Sequence, residues 1–241
     1  MEPVSPRPPT NVRAIELTLP RRFRGPLTSA NGGYASGRLA AFVDADAVEV
    51  TLRLPPSLDT SLEVRVEREL ARLYEGDALV AEARPVELDL EPPRVPSLAE
   101  ADAAAARHVR VGDERFRECF SCGIRPDRDG LEIHAGPVAG SEPLHAAPWD
   151  VRESAAELVW AAIDCSGAYA VGAAGRGDVV LGRMAARVYR LPAVGDRCVV
   201  VAWPLGEDGR KLYAGTALFS EDGAPLALAR QTWIEPRPHA L

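Results

Sequence analysis

Hydrophobic and polar positions alternate with period two in the run Val12-Arg13-Ala14-Ile15-Glu16-Leu17-Thr18-Leu19, the pattern of a half-buried strand. A helical stretch over residues 28–43 follows, with Ser29 or Asn31 as N-cap and small residues Gly32, Gly33, Ala35 and Gly37 in its first turns. Strands are predicted near 47–54, 61–73 and 78–90, punctuated by Pro55-Pro56 and Glu75-Gly76-Asp77. Residues 91–118 open with Pro92, Pro93 and Pro96 and continue as a short alanine-rich helix. Beyond them a strand is predicted at 131–138, a long loop to about 150, and a helix around 154–172. The last strands fall near 179–191, 197–204, 211–220 and 225–235, with Glu221-Asp222-Gly223 turning the final pair.

The second half repeats the first. Gly32-x-Tyr34-Ala35-x-Gly37 matches Gly167-x-Tyr169-Ala170-x-Gly172, and Arg53-Leu54-Pro55 with Asp59 matches Arg190-Leu191-Pro192 with Asp196. Ala78, Val80, Ala81, Ala83 and Arg84 line up on Ala224, Leu226, Ala227, Ala229 and Arg230. The offsets of 135, 137 and 146 residues grow in chain order, as loop insertions in the second copy require. One long-period duplication implies two copies of a supersecondary unit packed together. The predicted boundaries are 11–90 for the first repeat, 91–118 for the linker and 119–237 for the second repeat. Within each repeat, glycines let a helix approach the enclosing sheet, at a propensity cost of about 1 kcal/mol each.

Composition narrows the partners. A net charge of -7 with only one lysine, Lys211, argues against a nucleic-acid partner, which would want a basic stripe. No apolar run reaches the roughly 18–20 residues that span a bilayer, so no membrane partner is expected. The N-terminal residues lack the basic start and apolar core of a secretory signal. Four cysteines, at 119, 122, 165 and 198, do not make a disulfide scaffold, which fits a cytoplasmic location.

The order strand, glycine-rich helix, then wrapping strands resembles the hotdog fold, and the duplication resembles the double-hotdog proteins. Cys119-Phe120-Ser121-Cys122-Gly123 followed by Gly130-Leu131 is similar to the Cys-Phe-x-Cys-Gly … Gly-Leu opening of bacterial thioesterase-like hotdog proteins. The resemblance covers the chain apart from the first ten residues and the linker. It implies an α+β fold: a tandem (double) hotdog, with two glycine-rich helices wrapped by a joined antiparallel sheet. It also implies an acyl-CoA or related thioester as ligand, no cofactor, and a homo-oligomer formed as a dimer of double hotdogs.

Asp164 stands in the apolar run Leu158-Val159-Trp160-Ala161-Ala162-Ile163-Asp164-Cys165. A carboxylate is costly to bury there unless paired, and burial raises its pKa towards the range of a general base. The alternative is an interior cap bonded to the amides of Ser166 and Gly167 at a helix break. Gln231 lies on the last strand, on the face shared by Ala227 and Ala229. Resemblance to the acyl-CoA thioesterase II type carries onto Asp164 and Gln231 that family's water-holding aspartate and glutamine. The alternative for Gln231 is a solvent-facing strand residue. The family's third group, a hydroxyl, maps near Leu181-Gly182-Arg183, where no serine or threonine stands; Thr216 or Thr232 is the alternative, though nothing in the sequence demands either.

The first copy has Ser29 where the second has Asp164, and Pro85 where the second has Gln231, so the polar chemistry is expected mainly from the second repeat. Asn31-Gly32-Gly33 and Ser166-Gly167-Ala168 are expected to present backbone N–H groups to a thioester carbonyl at helix N-termini, or else only to permit helix–sheet contact. Cys119 and Cys122 are half of a tetrahedral zinc site, but without close-spaced partners they read as buried structural cysteines, with no metal. Cys165 has no neighbouring histidine to activate it and reads as packing. Two functional readings result: an acyl-CoA thioesterase, or a non-catalytic hotdog protein binding an acyl-CoA or acyl chain. A hydroxyacyl-CoA dehydratase would want a histidine near a helix, and neither helix has one.

Overall fold

The computed structural model describes residues 13–110, 114–173, 176 and 179–235. The proline-rich start and the tail holding His239 lie outside them. The first half comprises β1 (Arg13–Thr18), α1 (Gly32–Ala40), β2 (Val48–Leu52), β3 (Ser61–Glu67), β4 (Leu70–Glu75) and β5 (Ala78–Pro85). The connection carries α2 (Leu98–Ala105), started by a Ser97–Glu100 capping box. The second half comprises β6 (Gly136–Pro137), β7 (His145–Asp150), α3 (Ala156–Ala162), α4 (Ser166–Ala170), β8 (Val180–Val188), β9 (Arg197–Asp208), β10 (Lys211–Phe219) and β11 (Pro225–Ile234).

All eleven strands form one sheet in the order β1-β3-β4-β5-β2-β8-β11-β10-β9-β7-β6, with antiparallel pairing throughout. The order is a palindrome about the β2–β8 seam, apart from the extra β6. Register shows the same symmetry. Arg84 faces Glu49 across β5–β2, its repeat partner Arg230 faces Ala185 across β11–β8, and Glu49 faces Ala185 across the seam. The pseudo-twofold axis therefore passes between Glu49 and Ala185. Joining the repeats there gives each central strand a partner on both sides and removes two sheet edges.

One face of the sheet holds α1, α3 and α4 over the main core, which includes Leu39, Val50, Leu73, Trp149, Ile163 and Leu218. A second core lies on the opposite face of the C-terminal strands, under α2, with Val199, Val201, Trp203 and Phe219. Alternate residues of β9 serve the two cores: Cys198 and Val200 point to one, Val199, Val201 and Trp203 to the other. That two-sided burial explains the unbroken apolar run in β9.

Three predicted strand and loop segments differ. Residues 61–73 form a hairpin rather than one strand: Glu67 pairs with Leu70, and Arg68 takes a left-handed φ of 55°. No glycine or asparagine marks this turn. Residues 131–138 are mostly not strand; the amides of Leu131 and Ile133 bond to Phe120 and Ser121 carbonyls, and only Gly136 and Pro137 pair with β7. β7 itself occupies part of the predicted loop. It tolerates Pro148 because β6 pairs only with its first residues, leaving the rest an open edge.

Candidate active site

Two helices from different repeats meet at close range and create the site. Gly33 and Gly37, four residues apart on α1, face α3. A Cβ on Gly33 would lie 2.5 Å from the Trp160 carbonyl oxygen and 2.6 Å from Asp164 Cβ; one on Gly37 would lie 2.7 Å from Glu157 Cα. These glycines thus permit helix–helix contact, where helix–sheet contact was expected. Gly32 and Gly167 do face sheet side chains, Leu181 and Gln231 respectively.

α3 ends after Ala162, and α4 begins at Ser166, so Asp164 sits in a break within the predicted helix. Its side chain is almost fully buried, with 2% exposure. Oδ2 accepts hydrogen bonds from Asn31 Nδ2 at 2.8 Å and from the Gly33 amide at 3.0 Å. The interior-cap alternative placed those donors on Ser166 and Gly167; they come instead from α1. Oδ1 has no partner among the described residues. Burial raises the Asp164 pKa to about 7, against the lowering effect of the Gly33 amide; the nearby Cys119 adds to the rise, and the Asn31 amide opposes it.

Asn31 does two things at once. Its Oδ1 caps α1 by accepting from the Tyr34 amide at 2.8 Å, while Nδ2 reaches Asp164. The carboxylate of the second repeat is therefore held by residues of the first repeat.

Asp164 opens onto an apolar cavity of about 370 Å³, bounded by the start of α1, the α3–α4 break, the 53–56 turn and the ends of β8 and β11. Ser29, Asn31, Gly32, Cys119, Cys122, Cys165, Ala168 and Tyr169 are on its wall. As the first residue of α1, Gly32 has no intrahelical acceptor for its N–H, and none exists elsewhere among the described residues. The corresponding amides of the second repeat are occupied: Gly167 donates to Asp164 O at 3.2 Å and Ala168 to Cys165 O at 3.0 Å. Of the N–H groups expected to face a carbonyl, Gly32 alone is at the wall with its donor open. Arg53, at the rim, is ion-paired with Glu82.

Gln231 is fully buried, so the solvent-facing alternative does not hold. Its Nε2 donates to the carbonyls of Ile163 at 2.7 Å and Asp164 at 3.1 Å, and Oε1 accepts from Trp233 Nε1 at 2.8 Å. It braces the helix break behind Asp164 and is not part of the cavity wall. Trp233, missed from sequence, completes this brace and also lines the cavity. Thr216 is buried without a partner for its hydroxyl, away from the cavity wall, and Thr232 is likewise not on it. None of the described histidines, His108, His134 and His145, is on the wall.

The cysteine motif folds back against the same break. The Gly123 amide donates to Cys119 O at 2.7 Å, closing a tight turn, and Ser121 Oγ donates to the Ala161 carbonyl at the end of α3 at 2.7 Å. Phe120 packs edge-on against Phe23, whose ring stacks on Tyr34 of α1. These anchors bring Cys119 Sγ within 3.6 Å of Cys165 Sγ. Thiol donation from Cys122 and Cys165 pulls the Cys119 pKa well below its ordinary value and pushes theirs up.

Fold and cavity together define a double-hotdog protein. No protein-family model matches the chain, and no curated relative matches it. Solved structures do. A conserved protein of unknown function with a hot dog fold from Alicyclobacillus acidocaldarius aligns with a TM-score of 0.63 and 13% identity, over 94% of each chain. An acyl-CoA thioesterase II from Mycobacterium marinum aligns with a TM-score of 0.57 and 9% identity, over 95% of this chain and 94% of that one. The dehydratase domain of a mycocerosic acid synthase-like polyketide synthase aligns at 0.59 and 16%, over 93% and 92%. The chain has the double-hotdog fold that these proteins share.

Proposed function

We propose that this protein hydrolyses an acyl thioester, with the acyl group in the 370 Å³ cavity and Asp164 as the group that activates water or attacks the carbonyl. The observation that carries the reading is the Asp164 carboxylate itself. One oxygen is fixed by Asn31 and Gly33, the other is buried without a partner, and the residue lines an apolar cavity. A fixed carboxylate with a free lone pair is placed to take a proton from water or to add to a thioester carbon. The Gly32 N–H, at the positive end of α1, supplies a donor for the oxygen on which negative charge develops. Gln231 acts here by holding the Ile163 and Asp164 carbonyls, which sets where the carboxylate points.

A second reading, binding of an acyl thioester without hydrolysis, is favoured by one observation: the Gln231 amide is committed to backbone carbonyls and Trp233 and is not free to orient water. Dehydration of a hydroxyacyl thioester is disfavoured by the lack of a histidine on the cavity wall among the described residues.

A panel of acyl-CoA thioesters of graded chain length separates the readings through free-thiol release and thermal stabilisation. Hydrolysis predicts thiol release that falls by about 100-fold or more in Asp164→Asn, while stabilisation by the ligand persists. Wild-type rates in Asp164→Asn would defeat the mechanism. Stabilisation without thiol release by the wild type would select the binding reading.

A further inference from the structure

Cys119, Cys122 and Cys165 have no task in the proposed hydrolysis, yet their three sulfur atoms all lie within 4.8 Å of one another on the wall of the cavity. We propose that these three side chains form a thiolate site for a thiophilic d10 cation of the zinc class, with the fourth coordination position open to the cavity.

The geometry suits the ion. A tetrahedral zinc–thiolate centre has bonds of about 2.3 Å and hence sulfur–sulfur edges of roughly 3.8 Å. Cys119 and Cys165 Sγ are 3.6 Å apart, and Cys122 Sγ lies within 4.8 Å of both. The donor set contains sulfur only, which selects a soft ion over magnesium or calcium. Its two parts are held rigidly by contacts that do not involve the sulfurs. The Gly123–Cys119 turn bond and the Ser121–Ala161 bond fix the Cys-x-x-Cys turn, and the Gln231 bonds to Ile163 and Asp164 fix the segment leading into Cys165. Asn31 Nδ2 lies 3.7 Å from Cys119 Sγ, an amide donor of the kind that orients and tunes a coordinated sulfur.

Binding is balanced as three thiols and one divalent cation giving a tris-thiolate complex and three released protons; no electron moves. Three protein ligands leave a position for water or a donor atom of the bound ligand, and the cavity provides the route by which the ion arrives.

The test uses the full chain, reduced and freed of metal with a chelator, then titrated anaerobically with Co2+. A folded chain should saturate at one ion per chain, with a thiolate-to-cobalt charge-transfer band and the visible bands of a tetrahedral centre. Zn2+ should abolish both by displacement. Cys165→Ser should weaken Zn2+ binding by about tenfold or more, whereas Cys198→Ala should bind as the wild type does. In a measurement that needs no variant, Zn2+ should protect Cys122 and Cys165 from alkylation, with the sites read by peptide mass spectrometry. Absence of a saturable charge-transfer band in the reduced wild type would overturn the site. So would a band that survives replacement of all three cysteines by serine, or alkylation that Zn2+ does not slow. No thioester enters either measurement, so the outcome stands apart from that of the hydrolysis reading.

Discussion

Asn31 Nδ2 lies 2.8 Å from Asp164 Oδ2, joining residues 133 positions apart and one from each repeat. The same asparagine caps α1, so the start of one helix and the carboxylate at the break of another are positioned by a single side chain. Replacing Asn31 with serine separates these tasks, since serine caps as well as asparagine but does not reach Asp164. A hydrogen bond to a charged group contributes about 1.5–3 kcal/mol. Thiol release by Asn31→Ser should therefore fall by about ten- to a hundredfold, and the unfolding midpoint should drop as well, because a buried carboxylate loses one of its two donors. Equal rates in the two proteins would detach this contact from the chemistry.

The open Gly32 amide can be deleted without disturbing the helix. Proline is favoured at the first helical position, and the extended backbone of Asn31 (φ -58°, ψ 132°) accepts a following proline. Gly32→Ala is the steric control, because its added Cβ meets the same Leu181 and Leu52 side chains at 3.0–3.2 Å but leaves the N–H in place. If the amide stabilises the developing oxyanion, Gly32→Pro should release thiol about 100-fold more slowly than Gly32→Ala. Similar rates in the two variants would remove the amide from the mechanism.

Gln231→Leu leaves the Ile163 carbonyl and the Trp233 indole N–H without their partners in the interior, while the Asp164 carbonyl keeps the Gly167 amide. Each orphaned buried group costs about 1–3 kcal/mol, so urea unfolding should show a loss of about 2–6 kcal/mol for the two. A water-orienting role predicts the opposite balance, a collapse of kcat with unchanged stability. Measuring both quantities on the same preparation distinguishes the brace from the water ligand.

Gly37→Ala tests the helix contact away from the carboxylate. Alanine improves intrinsic helix propensity by about 1 kcal/mol, but its Cβ would stand 2.7 Å from Glu157 Cα and 3.0 Å from the Trp160 side chain. Overpacking of this kind costs about 1–3 kcal/mol, and a backbone neighbour cannot rotate away. The variant should be less stable than the wild type in chemical denaturation; a more stable variant would contradict the close helix crossing.

Much of the architecture was legible in the chain. The repeat blocks at Gly32 and Gly167, Arg53 and Arg190, and Ala78 and Ala224 imply two like units, and the sheet order is the palindrome such units make. Strand periodicity located most strands within a few residues. It failed at Arg68, where an unmarked residue makes the turn, and at β7, where Pro148 lies on an edge that sequence does not announce. Asp164 stood out as the one carboxylate in an apolar helical run, because the cost of burying charge is a local property of a sequence window.

The sequence by itself determined the duplication, most of the strands and the anomaly at Asp164, since periodicity and composition act over a few neighbouring residues. Tertiary structure alone decided what surrounds that carboxylate. Asn31 and Gly33 reach it across 133 and 131 positions, and Cys119 meets Cys165 across 46. These meetings follow from how closely α1 can cross α3 and where the α3–α4 helix breaks. Both are outcomes of packing between distant segments, which no single stretch of the chain encodes.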